Sequence, residues 1–198
     1  MLAIPTSAKD FRSVNRIFGM IRRKAVAVSA VPIVRRLIVT DFSTDTQGGG
    51  TGIFSYIKNV TLSKEFLRLG YTIHIIAQGE FVRGAAASTL QLWVVLDSDE
   101  VLEFDARSVP STITSTWAVE AYILVEATGA SGTVRTFGSY SFRDGNNATP
   151  SSLTSIIVGG TGTVVSTTPN HLLQINARHG NANDLSYLRL LIVDIMQS

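Results

Sequence analysis

The chain has 198 residues, 45% of them apolar and 16% charged, with a net charge of +2. That apolar share suffices for one sizeable core, while a charged share below the usual one (about a quarter) leaves a surface of Ser, Thr, Gly and Asn, or one buried in an assembly. The absence of cysteine excludes disulfides and thiolate metal sites, and no apolar run reaches the roughly 18 residues of a membrane-spanning helix.

In chain order, the charge divides first. Residues 1–40 hold eight Lys or Arg against one acid, a net +7, and residues 41–198 carry a net −5. A basic front on an acidic body suits docking on something negative: an acidic protein, nucleic acid or the bodies of neighbouring copies. The plain alternative is a solvated helix face.

Residues 1–6 read as an extended lead containing Pro5. The spacing then predicts a helix over 7–24. Phe11, Val14, Phe18 and Ile21 fall at intervals of three, four and three, an a/d seam, and Ile17 widens the stripe. Arg12, Arg16, Arg22 and Arg23 flank it, with Lys9 and Lys24. Ser7 with Asp10 three residues later makes a weak capping box. Gly19 costs about 1 kcal/mol relative to alanine, so the helix is marginal alone and needs a partner for its stripe. These nine stripe and arginine positions are the expected arm interface.

The apolar stretch 25–33 follows a cationic triplet, but a patterned helix precedes it and Arg35-Arg36 replaces a small-residue cleavage site, so it reads as no targeting segment. Residues 25–42 read as an extended arm. Pro32 bars a central strand there, and a strand is expected at about 33–42, either at a sheet edge or paired with a neighbouring subunit. The Gly-rich stretch from residue 43 reads as a hinge. The expected division is therefore a basic anchoring arm over 1–50 and a β domain over 51–198.

From residue 53 strands recur at regular intervals. They are expected at 53–60, 71–81, 89–96, 100–104, 117–127, 133–142, 171–178 and 185–196. Residues 62–69 read as a connection with one helical turn, 97–99 as a tight turn, 128–132 as a hairpin turn, and 153–162 as a strand or extended connection. Within 71–81, Tyr71, Ile73, Ile75 and Ala77 share one face and Thr72, His74 and Gln78 the other. The last strand is apolar on both faces: Leu188, Leu190 and Ile192 alternate with Leu191, Val193 and Ile195. Such a strand lies between two layers or turns its outer face to another subunit. The fold expected is all-β: a jelly-roll β-sandwich of about eight strands, preceded by an N-terminal amphipathic helix and extended arm.

Site chemistry is sparse. His74, His171 and His179 lack metal-ligand spacing, and His74 reads as a surface residue on a polar strand face. Asp97, Asp99, Glu100, Glu103 and Asp105 read as an acidic turn, since a calcium loop needs a central glycine they lack. The glycine-rich stretches have no Lys-Ser/Thr of a phosphate loop. Trp93 and Trp117 sit in alternating strands and read as core or interface. No nucleophile–base pair is legible. Neither an enzyme nor a cofactor is expected.

Residues 52–57, 69–81 (ending Gly79-Glu80-Phe81), 90–95, the strand Trp117-Ala-Val-Glu-Ala121 and the closing pair 172–177 and 185–195 together resemble a jelly-roll domain of tailed-bacteriophage structural proteins. The likeness covers roughly three quarters of the chain, and its sharpest part is the Trp-x-Val-Glu-Ala strand. It implies a homotrimer located in the virion, serving as capsid decoration (cement) protein or head fibre, or in tail fibres and baseplates. Leu191, Val193 and Ile195 are then the expected trimer interface, and the major capsid protein, or tail proteins, the expected partner of the arm. In the tail alternative the jelly roll binds a host glycan or adapts a fibre, with Tyr140, Phe142 and the loop 143–149 as candidates. Neither nucleic acid nor membrane is an expected partner.

Overall fold

A computed structural model describes residues 34–41, 45–48, 54–84, 88–109, 114–143, 155–158 and 162–197. The expected helix over 7–24 lies outside the described residues. Val34–Gln197 form one compact unit.

The described residues form thirteen strands and one 3-10 turn. The strands are β1 Val34–Asp41, β2 Asp45–Gly48, β3 Phe54–Leu62, β4 Tyr71–Val82, β5 Ser88–Leu96, β6 Asp99–Glu103, β7 Arg107–Val109, β8 Ser115–Ala127, β9 Thr133–Arg143, β10 Ser155–Val158, β11 Thr163–Val164, β12 His171–His179 and β13 Leu185–Gln197. The 3-10 turn, Lys64–Phe66, falls inside the expected connection, where the Ser63 hydroxyl accepts from the Glu65 amide.

The strands pair antiparallel in two sheets. The first has eight strands in the order β1-β13-β4-β8-β9-β10, with β11 also on β9 and β2 also on β13. The second has five, in the order β3-β12-β5-β6, with β7 also on β5. The connections repeatedly cross between the sheets.

Alternation decides which side chains enter the core. On β4, Ile73, Ile75, Ala77 and Phe81 are buried; on β8, Trp117, Val119, Ala121, Ile123 and Val125. From the second sheet come Leu90, Leu92, Val94 and Leu96 on β5 and Leu173, Ile175 and Ala177 on β12. Burying each large aliphatic side chain is worth about 1.5–3 kcal/mol. Trp93 and Trp117 are both buried, in keeping with their strand positions.

Two expectations about the chain's front change. The strand expected at 33–42 exists as β1, but it runs residue by residue along β13, from Val34↔Gln197 to Asp41↔Leu191. It belongs to the body's first sheet and not to a detached arm, so the compact unit starts at Val34. Part of the expected hinge is strand β2, which pairs with Leu185–Leu188. Its glycines suggested freedom, but antiparallel pairing needs only backbone groups, which glycine supplies.

The final strand also differs from its reading. Leu188, Leu191, Val193 and Ile195 all lie in the core. A bulge between Leu188 and Leu190 inserts one extra residue against β4, which moves Leu188 to the same side as Leu191. Leu191, Val193 and Ile195 are thus covered by the chain's own second sheet and are not a surface another subunit could meet. The outward positions of β13 are Leu190, Ile192, Asp194 and Met196, flanking those buried ones. Opposite the bulge stands Gly79, paired with Leu188 on one side and Trp117 on the other. The Trp117 indole lies over Gly79 and donates to the Glu80 carbonyl at 3.2 Å.

Candidate functional site

The outer face of the first sheet carries the most organised polar group among the described residues. Cross-strand register builds it. Asp194 on β13 stands opposite His74 on β4, His74 opposite Tyr122 on β8, and Tyr122 opposite Phe137 on β9. Neighbours at a strand spacing of about 4.8 Å bring flat rings into stacking distance. His74 stacks on Tyr122 at 4.6 Å and Tyr122 on Phe137 at 4.8 Å, the planes 18° and 14° apart. Phe137, at the end of the stack, is 40% exposed.

His74 is only 4% exposed, so its reading as a solvated surface residue is corrected. Tyr122 covers one ring face, and carboxylates meet both nitrogens. Nδ1 is 3.2 Å from Asp194 Oδ1, and Nε2 is 3.0 Å from Glu120 Oε1. Ionised carboxylates only accept, so both contacts are hydrogen bonds when both ring nitrogens carry protons. The Tyr122 hydroxyl donates to the same Glu120 oxygen at 2.6 Å. The bond from Tyr122, then that from His74, together with the charge on His74, hold the Glu120 carboxyl below its ordinary 4.5 against a smaller opposing effect of burial.

Beside this row runs a trough of about 300 Å³ lined by Ile76, Gln78, Ala118, Glu120, Ser139 and Ser141, with Val119 below. Register explains it. Glu120 pairs with Ser139 and Ala118 with Ser141, so three small side chains sit together on two adjacent strands. The aromatic row forms one bank. On the other, Arg189 pairs with Glu80 at 2.7 Å.

A second polar cluster lies inside the fold. Asp184 is fully buried and accepts from the Gly84 amide at 3.0 Å, the Asn181 amide at 3.0 Å and the Ser88 hydroxyl. Nearby, Ser186 Oγ and His179 Nε2 are 2.8 Å apart. The pair has the spacing of a nucleophile and its base, but Ser186 has no exposure and His179 is 2% exposed. No substrate reaches that hydroxyl, so the cluster is structural. Burial pushes His179 below its ordinary 6.5, with the Asp184 charge partly opposing. Above that value both folded and unfolded states hold the ring neutral. As pH falls through it the unfolded ring takes a proton that the folded ring takes only at lower pH, so stability falls. We expect unfolding midpoints to drop between pH 7 and pH 5, and to drop less in His179→Gln; equal slopes would remove His179 from the acid response.

The other expected site residues are scattered. The arm positions Phe11, Arg12, Val14, Arg16, Ile17, Phe18, Ile21, Arg22 and Arg23 lie outside the described residues. Tyr140 and Phe142, expected as exposed glycan contacts, are buried in the core, and burial pushes the Tyr140 phenol far up, partly opposed by Arg107. They point inward because β9 alternates with its outward residues Phe137, Ser139 and Ser141. Arg143 is exposed, and residues 144–149 lie outside the described residues. In the acidic turn Asp97 binds His171 Nδ1 at 2.7 Å and accepts from the Leu172 amide at 2.7 Å, tying that turn to β12. Asp99, Glu100, Glu103 and Asp105 are exposed.

Glu120, Tyr122 and Phe137 were not singled out from the sequence as site residues. The available signal was local: Glu120 and Tyr122 fall on the polar phase of a strand whose other phase is Trp117, Val119 and Ala121. Their meeting with His74 and Asp194 depends on register between distant segments.

No family model matches the chain, and no curated protein sequence matches it. Among solved structures it is similar to the VP2 subviral particle of infectious bursal disease virus, at a TM-score of 0.32 and 11% identity over 82% of this chain and 32% of that one. It is also similar to the T=1 particles derived from that virus, at 0.29 and 9% identity over 82% and 36%. The chain spans about a third of the length of those structures.

Proposed function

We propose that the chain is a structural virion protein: a trimeric capsid decoration protein of the cement or head-fibre kind, whose N-terminal segment anchors a jelly-roll body to the shell. Strand order is the observation that carries the fold part of this reading. The chain visits β1 in the first sheet, β3 in the second, β4 in the first, β5 and β6 in the second, β8 in the first, β12 in the second and β13 in the first. The jelly-roll reading is supported by this order: β1-β13-β4-β8 and β3-β12-β5-β6 are two four-stranded sets, as a double Greek-key wrapping would have them, with β9–β11 inserted before β12. The role rests on the sequence resemblance and on the charge asymmetry. Phe11, Val14, Ile17, Phe18 and Ile21 bury against other chains, and Arg12, Arg16, Arg22 and Arg23 select an acidic partner such as the major capsid protein. Three arms on one trimer multiply a modest single affinity.

The test is a truncation. Because β1 belongs to the sheet, the cut must spare Val34. A protein lacking residues 1–33 is expected to keep the unfolding midpoint of the full body and to lose attachment to particles stripped of the native protein. Phe18→Asp in the full chain is expected to do the same. Truncated protein that still decorates particles overturns the anchoring role.

A second reading, a tail-fibre or baseplate component that binds a host glycan, is favoured by one observation, the polar trough on the first sheet. Copy number per particle, by quantitative mass spectrometry, separates the two: hundreds for decoration, a handful for a tail part.

A further inference from the structure

We propose that the trough between the aromatic row and the Arg189–Glu80 pair is a binding site for a neutral saccharide unit, with Glu120 as its fixed hydrogen-bond acceptor. The site deepens the second reading above but does not depend on where in a particle the chain resides.

The chemistry of the lining selects the ligand class. Glu120 is a carboxylate with one oxygen, Oε1, already engaged by Tyr122 at 2.6 Å and His74 at 3.0 Å. Those two bonds fix the carboxylate's orientation before any ligand arrives, which reduces the ordering cost of binding. Its other oxygen is the acceptor that remains. A carboxylate held in this way is a strong acceptor for a hydroxyl. Beside it, Gln78 contributes an amide that donates and accepts, and Ser139 and Ser141 contribute hydroxyls that do both. Glu120 and Ser139 stand opposite each other on adjacent strands, about 4.8 Å apart, which suits neighbouring hydroxyls of a sugar ring.

The remaining lining is apolar and shallow. Ile76 and Ala118 offer a surface for the C–H face of a ring, and the Tyr122–Phe137 stack stands along one bank. At about 300 Å³ the trough sits at the lower end of small-ligand pockets. It has room for one or two sugar units and not for a helix or a folded partner. A long apolar side chain from a partner would leave Gln78, Glu120 and both serines without bonds, which is unfavourable for buried polar groups.

Saturation-transfer NMR on the full chain tests the site. The probes are glucose, galactose, mannose, N-acetylglucosamine, maltose and lactose, with arginine methyl ester as a cationic control. At least one sugar is expected to bind the native chain. Ser139→Trp, which fills the floor from an outward strand position, is expected to abolish that binding, and Glu120→Gln to weaken it about tenfold or more. Ser141→Phe serves as a second filling variant should Ser139→Trp lower the unfolding midpoint. Binding of no sugar in the panel, sugar binding that survives both filling variants, or binding of the arginine ester in preference to sugars each overturns the proposal. None of these results bears on particle attachment, which the truncation reads separately.

Discussion

Gly79→Ala is expected to destabilise the body by about 3 kcal/mol or more, near the upper end for overpacking at one position. An added Cβ would lie 1.9 Å from the Tyr187 carbonyl oxygen and 2.4 Å from Trp117 Cζ2. The first contact is backbone on β13 beside the bulge. The second is an indole held among core side chains and hydrogen-bonded to the Glu80 carbonyl. Neither yields without moving the centre of the first sheet. Gly129→Ala supplies the contrast. There a Cβ would meet nothing within 4 Å, but φ is +117°. Its cost is backbone strain alone, about 1–2 kcal/mol. Urea unfolding of the two variants checks this: if Gly79→Ala costs no more than Gly129→Ala, the indole does not rest on Gly79 as described.

The second large effect is expected at Asp184. Its carboxylate has no solvent exposure and accepts from two backbone amides, Gly84 and Asn181, and from Ser88. These donors come from the end of β4, the start of β5 and the turn between β12 and β13, so one side chain ties three segments from both sheets. Asp184→Ala strands those donors and should cost about 3 kcal/mol, since the bonds are charge-assisted and buried. Asp184→Asn keeps one acceptor but turns an amide donor toward donors, and should fall between alanine and the native residue. Thermal unfolding ranks the three, and amide exchange at Gly84 and Asn181 should quicken in both variants. Unchanged exchange would mean that other groups hold that corner.

Legibility followed the distance between interacting residues. Each long strand from β3 on was visible in its own alternation, because whether Ile73 or Trp117 faces inward is a period-two question answered within ten residues. Strands β2, β7 and β11 were not, having four residues or fewer and hence no period to read. The reading of β13 failed at one residue: a bulge at Arg189 adds a position and shifts the phase, and the run of four apolar residues from Leu190 to Val193 gives both faces the same apolar look. Tyr140 and Phe142 were placed outward because aromatics near a polar loop resemble a binding edge. Their phase on β9, with Ser139 and Ser141 opposite, turns them inward.

The sequence by itself determined the all-β class, the position of most strands, the basic front and the absence of any local catalytic or metal-binding motif. Those follow from composition and short-range periodicity, which act within one element. Only the tertiary structure decided that β1 completes the first sheet, that Leu191, Val193 and Ile195 belong to the chain's own core, and that His74 is enclosed by Asp194, Glu120 and Tyr122. The reason is physical. Antiparallel register joins residues as far apart in sequence as Val34 and Gln197, and no local pattern encodes which two strands will share a row.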